Sequence, residues 1–289
     1  MASTIQDWAR ALLDPSPLGL VIAVLLVVSI PIFLHSVVFR ASGLVTLPSI
    51  LLLGPSDSGK TSLLTLFERG ANAPTHTSQT PIAVECHLPV GTTAKSDSYR
   101  SSHDPSSIAH KKFLLVDTPG HGKLRHHALE SINSPQNLKG LIFVVDAAAL
   151  SAGDDGLRQT ADYLHEVLLL LQKRSGMKSV KTKEMHVLVA ANKTDLFTAL
   201  PVALVKSVLE GEIAKVRVSR SKGLLDSGIR MGEVEDEEND DWLGEMGSTE
   251  FTFAQMEEFD VYVQVVGGCV EGTDGPVVDK WWRWISDRL

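Results

Sequence analysis

Apolar residues in this chain fall into runs of different rhythm. Ser49–Leu53, Lys112–Asp117, Leu141–Asp146, His186–Ala191 and Val261–Val266 are short, near-continuous and bounded by glycine, proline, aspartate or asparagine. Such runs suit strands of a parallel sheet covered on both faces. Pro81–Leu88 alternates instead, which predicts an edge strand with one wet face. Leu164, Val167, Leu168 and Leu171 fall on one helix face, as do Val205, Val208, Leu209, Ile213 and Val216. Val278, Trp281, Trp282, Ile285 and Leu289 form a last helical stripe, read as a helix docked on the sheet. Strand and helix in alternation predict an α/β fold: a mostly parallel six-stranded sheet with helices on both faces.

A run of another kind precedes all of these. Residues 18–39, from Leu18 to Phe39, carry no Asp, Glu, Lys or Arg. At a rise of about 1.5 Å per residue they are long enough to cross a hydrocarbon core of roughly 30 Å. The expected organisation is a short lumenal tail (1–17), a transmembrane helix (18–39), a linker (40–48) and a globular domain (49–289). Arg40 follows the span, and the flank before it holds Asp7, Arg10 and Asp14, so the positive-inside rule places the globular part in the cytosol. Asn192-Lys193-Thr194 agrees: in a secretory lumen it would accept a glycan.

Composition adds limits. The chain has 289 residues, 44% of them apolar, enough for a sizeable core. A net charge of −8 argues against general or direct nucleic-acid binding. Cys86 and Cys269 are the only cysteines and suggest no disulfide framework. Gly91–Ser107 is polar and aperiodic, expected as a loose hairpin tip. Ser219–Glu250 contains an acidic run and reads as a disordered insertion.

The chemistry begins where the first strand ends. Gly54-Pro55-Ser56-Asp57-Ser58-Gly59-Lys60-Thr61 has the form G-x-x-x-x-G-K-[ST] between an expected strand and an expected helix that opens with Ser62. Its glycines let successive N–H groups converge on an anion, which then also sits at a helix N-terminus. Lys60 would reach the β- and γ-phosphates, and the Thr61 hydroxyl would ligate Mg²⁺.

Two further segments end expected strands. In Asp117-Thr118-Pro119-Gly120-His121, the carboxylate can hold Mg²⁺ through water and Gly120 can offer its N–H to a γ-phosphate. In Asn192-Lys193-Thr194-Asp195, Asp195 can accept from the N1–H and 2-amino donors of guanine. Adenine offers neither, so discrimination should be large. The Lys193 stem can lie on the purine, and the Asn192 amide can tie the base loop to the phosphate loop. A metal-touching hydroxyl is expected between the first helix and the edge strand; Thr77, Ser78 and Thr80 all qualify. Gly268-Cys269-Val270, after the last strand, should support the base through backbone N–H groups.

These elements, in this order, resemble the Ras-like GTPase family from Ser49 to Leu289. Gly54–Thr61, Asp117–Gly120 and Asn192–Asp195 match the family's motifs in full; Cys269-Val270-Glu271 departs from its usual Ser-Ala-Lys. An N-terminal anchor, Asp-Ser-Gly-Lys-Thr, Pro-Gly-His and Val-Val-Asp are similar to the branch formed by signal recognition particle receptor β subunits. That resemblance implies GTP and Mg²⁺ as ligands and an endoplasmic reticulum membrane location. It also implies GTP-dependent binding of the receptor α subunit through its N-terminal domain, with the ribosome or translocon as further partners. An Arf- or Sar-like GTPase of vesicle traffic is the alternative. His121 stands where many relatives carry the water-orienting Gln, so it is the candidate catalytic residue, or else a passive part of a switch.

Overall fold

The computed structural model describes residues 24–30, 47–88, 111–133, 137–176, 184–226, 242–244, 248, 250–272 and 275–289. The chain divides into two units, Met1–Thr46 and Leu47–Leu289. In the first, residues 24–30 are helical, with exposed Val and Leu side chains. Most of the expected membrane span lies outside the described residues, and among these no helix is long and apolar enough to cross a membrane. The expected hairpin tip also lies outside them.

The second unit runs β1 (Ser49–Leu53), α1 (Lys60–Arg69), β2 (Ile82–Leu88), β3 (Lys111–Asp117), α2 (Arg125–Asn133), β4 (Leu138–Asp146), α3 (Asp154–Gly176), β5 (Met185–Asn192), α4 (Val202–Asp226), β6 (Val261–Gly267) and α5 (Asp279–Ser286). The six strands lie in the order β2-β3-β1-β4-β5-β6. Only the β2–β3 pair is antiparallel. The sheet is therefore the mostly parallel one the apolar pattern predicts, with alternating β2 at its edge.

Alternate residues of the central strands feed two cores. Leu51, Leu53, Phe143, Val145, Val187 and Val189 pack with α2, α3 and α4. Ile50, Leu52, Ile142, Val144, Leu188 and Ala190 pack with α1 and α5. The predicted α3 face, Leu164, Val167, Leu168 and Leu171, is buried, as are Val205, Leu209, Ile213 and Val216 of α4. In α5, Trp282 stacks on Phe67 of α1, ring centroids 4.0 Å apart, and closes one layer over the sheet.

The acidic segment departs from expectation at both ends. Helix α4 continues to Asp226, past the expected boundary at Ser219. Buried Arg217 explains the return. Its guanidinium donates to the carbonyls of Leu243 (3.0 Å), Ser248 and Glu250 (3.3 Å) and lies 4.4 Å from the Trp242 ring centroid. Gln172 of α3 adds a second clasp, donating to Trp242 O and accepting from Gly244 N, both at 2.8 Å. Leu243 is fully buried. Thus Trp242–Gly244, Ser248 and Glu250 dock as part of the domain.

Candidate nucleotide site

The loops after β1, β3, β5 and β6 share one end of the sheet, the usual place for a ligand in an open α/β fold. Together with the loop between α1 and β2 they line a cleft of about 490 Å³. Ser56, Asp57, Gly59, Lys60, Thr61, Ser62, Thr77, Ser78, Gly120, Asn192, Lys193, Asp195 and Val270, all singled out from sequence, line it. Gly54, Pro55, Ser58, Asp117, Cys269, Thr80 and His121 do not.

The phosphate loop is held by its own polar atoms. Asp57 adopts φ 60° and Gly59 φ 93°, both left-handed. Gly59 must be glycine for a second reason: a Cβ there would meet Asn192 Nδ2 at 2.3 Å. The Ser58 hydroxyl donates to Pro55 O at 2.9 Å. The Lys60 ammonium, buried inside the curl, donates to the same carbonyl at 2.7 Å. Burial pushes its pKa down from 10.5 to about 8, while Asp117 and Asp57 pull it back up. A buried cation with so few acceptors suits an anionic ligand. A Cβ on Gly120 would come within 2.6 Å of Lys60 Nζ, so the segment after β3 can approach only as glycine.

Beside the ammonium lies a place for a cation. Thr61 Oγ1 donates to Asp117 Oδ2 at 2.7 Å. Asp117 is fully buried, and its Oδ1 has no hydrogen-bond partner. Burial raises the carboxyl pKa, against the pull of Thr61, Lys60 and Ser78. A divalent cation would satisfy the orphaned oxygen and return the group to its ionised form. Thr61 and Asp117, with Ser78 near, fit such an ion. Thr80 is exposed and outside the cleft lining.

The base side is assembled around Asn192. Its Nδ2 donates to Ser58 O at 2.8 Å and its Oδ1 accepts from Val270 N at 3.1 Å, so the expected tie to the phosphate loop is present. Thr194 Oγ1 donates to Gly268 O at 3.0 Å. Asp195 is exposed at the lip, with its carboxylate free to meet donors on a purine edge. In the β6 loop both candidate amides have partners within the protein. The Cys269 N–H is taken by Val277 O and the Val270 N–H by Asn192, so neither amide is free for a base. Sequence reasoning also missed Asp146, which accepts from Lys193 Nζ at 2.6 Å and from the amides of Ala148 and Ala149. Its position at the end of β4, in register with Asn192 at the end of β5, is the available signal.

His121 is exposed and outside the cleft. Its Nδ1 accepts from Lys123 N at 3.3 Å and caps a single 3₁₀ turn, Gly122–Leu124.

A family model described as signal recognition particle receptor beta subunit matches residues 46–261. The chain belongs to that family. A Saccharomyces cerevisiae signal recognition particle receptor subunit beta is 32% identical over 244 residues, 84% of each chain. The Homo sapiens subunit beta is 31% identical over 208 residues, 72% of this chain and 65% of its own. Among solved structures, a Chaetomium thermophilum receptor SRb-GTP/SRX complex matches with 42% identity and a TM-score of 0.69, covering 84% of this chain and 100% of that one. An SRb-GDP-Mg structure from the same organism is 45% identical, with a TM-score of 0.62, covering 84% and 98%. The fold described above is thus that of the receptor's beta-subunit GTPase.

Proposed function

We propose that the chain is a GTP-gated docking subunit, which binds GTP with Mg²⁺ and then holds the receptor alpha subunit at the endoplasmic reticulum membrane for co-translational targeting. The observation that carries this reading is the cleft: buried Lys60 and exposed Asp195 line it, as does Thr61, which is bonded to Asp117 with its orphaned second oxygen. Lys60 suits a triphosphate tail, Thr61 with Asp117 a divalent ion, and Asp195 a guanine edge. One similar structure is an SRb-GTP/SRX complex and another is SRb-GDP-Mg, which supports the same ligands and partner for this chain. Residues 18–39 serve as the anchor in this reading, on the strength of their uncharged apolar run. The ribosome or translocon would be met through the assembled receptor.

A pull-down of the full chain from solubilised membranes, in GTP and in GDP, tests the proposal. The alpha subunit should be recovered with GTP and depleted with GDP. Equal recovery in both would overturn gating, and resistance of the chain to alkaline extraction from membranes tests the anchor.

A further inference from the structure

We propose that Asn72 is a positioning residue that couples purine occupancy to the conformation of the loop between α1 and β2. The proposal rests on the nucleotide reading above.

Asn72 is an exposed residue just past the end of α1, outside both cores. Its Nδ2 nevertheless donates to Val270 O at 2.7 Å, across 198 positions of sequence. The amide of the same Val270 donates to Asn192 Oδ1, and Asn192 Nδ2 donates to Ser58 O. One continuous path of hydrogen bonds therefore joins the loop root, the β6 loop, the Asn192 segment and the phosphate loop. Two residues beyond Asn72, Pro74 begins the stretch of wall that runs through Thr75, His76 and Thr77 to Ser78.

That stretch is fastened in three ways. Thr75 Oγ1 pairs with Ser62 Oγ at 3.2 Å, and Ser78 lies by the Asp117 carboxylate. Both of these hold the loop to the phosphate and metal side. Asn72 alone of the three reaches the base side. Val270 lines the cleft, so a departing purine that displaces the β6 loop strains or breaks the Asn72 bond and frees the root of the 74–78 wall. Reciprocity follows from linkage: whatever holds that wall in place slows departure of the base.

The test uses the full chain in detergent and two fluorescent probes, mant-GDP and mant-GTPγS. Asn72→Ala should speed release of both by roughly five- to tenfold, the worth of one neutral hydrogen bond. Asn72→Asp keeps the shape but turns an acceptor toward the Val270 carbonyl, and should speed release further. The urea midpoint of the nucleotide-free variants should match the parent. A fluorophore on His76→Cys should change its emission when nucleotide is removed, and Asn72→Ala should blunt that change. Release of both probes from Asn72→Asp at the parent rate would overturn the coupling. A lowered urea midpoint in step with faster release would overturn it too, by reducing Asn72 to a structural contact. Failure of the unsubstituted chain to bind mant-GDP would instead remove the function proposed above.

Discussion

The phosphate loop and the segment after Asp117 begin at the ends of adjacent strands, yet they are built in opposite ways. In the first, Ser58 and Lys60 both donate to Pro55 O within the loop, Thr61 donates across to Asp117 Oδ2, and Asn192 braces the loop from behind. In the second, Gly120 is packed against Lys60, but His121 one residue later faces solvent. The first region is prepared for its ligand in advance, so binding need not order it. The second is anchored as far as Gly120, with buried Thr118 donating both its N–H and its hydroxyl to Leu52 O, and is free to answer the ligand only from His121 on, the design expected of a switch.

Four measurements would break or sharpen this contrast. The largest effect belongs to the prepared side. Lys60→Ala removes the buried ammonium and should weaken GTP and GDP alike by about 100-fold or more. Retained affinity in a fluorescence titration would mean that the loop is not the phosphate site. Asp195→Ala should cost roughly 100-fold in the preference for guanine over adenine nucleotides, read by competition, because two donors on guanine lose their acceptor.

The third effect is a pH dependence. Only the protonated Lys60 pairs with an anion, and its pKa in the nucleotide-free protein is lowered to about 8. A bound phosphate raises that pKa, so affinity should be full below pH 8 and fall by up to tenfold per unit above it. Calorimetry in buffers of different ionisation enthalpy should register proton uptake on binding. Stability of the nucleotide-free chain should move the other way. A buried lysine with a lowered pKa costs stability in full below pH 8, and the cost is relieved as pH rises toward 10.5. Parallel loss of affinity and stability above pH 8 would contradict this assignment.

The smallest effect is expected on the loose side. His121→Ala should leave nucleotide affinity within about twofold, since the imidazole touches no part of the cleft. Single-turnover hydrolysis with and without the alpha subunit then separates a gate from an enzyme. An unchanged trace in both fits the gate, whereas a slower one with partner present would give His121 a role in the chemistry.

The contrast also explains what could be read from residues alone. The phosphate loop was legible because its geometry depends on glycine spacing and on a strand-to-helix setting, both written locally. The sheet was legible because β1, β4 and β5 are buried on both faces and so lack polar interruptions. Single polar residues that bridge distant segments left no such trace. Asn72 to Val270, Asp146 to Lys193 and Arg217 to the 243–250 carbonyls are each one side chain in an otherwise ordinary stretch. The end of α4 was misplaced for a related reason. Val218-Ser219-Arg220-Ser221-Lys222-Gly223 has the composition of a linker, while the buried face from Val205 to Arg217 supports the helix beyond it. In the β6 loop, sequence shows which amides are present, not that those of Cys269 and Val270 are engaged by Val277 and Asn192.

The Arg217 clasp has a practical consequence. Helix α4 ends at Asp226, and one guanidinium on it holds the carbonyls of Leu243, Ser248 and Glu250, so both sides of the acidic stretch are tied to the domain. Lengthening a flexible connection between two fixed points adds only about 0.6 kcal/mol for each doubling of its length. A fluorescent reporter or purification handle can therefore be spliced in after Asp226 with the termini left native, opening the chain to imaging without touching the cleft.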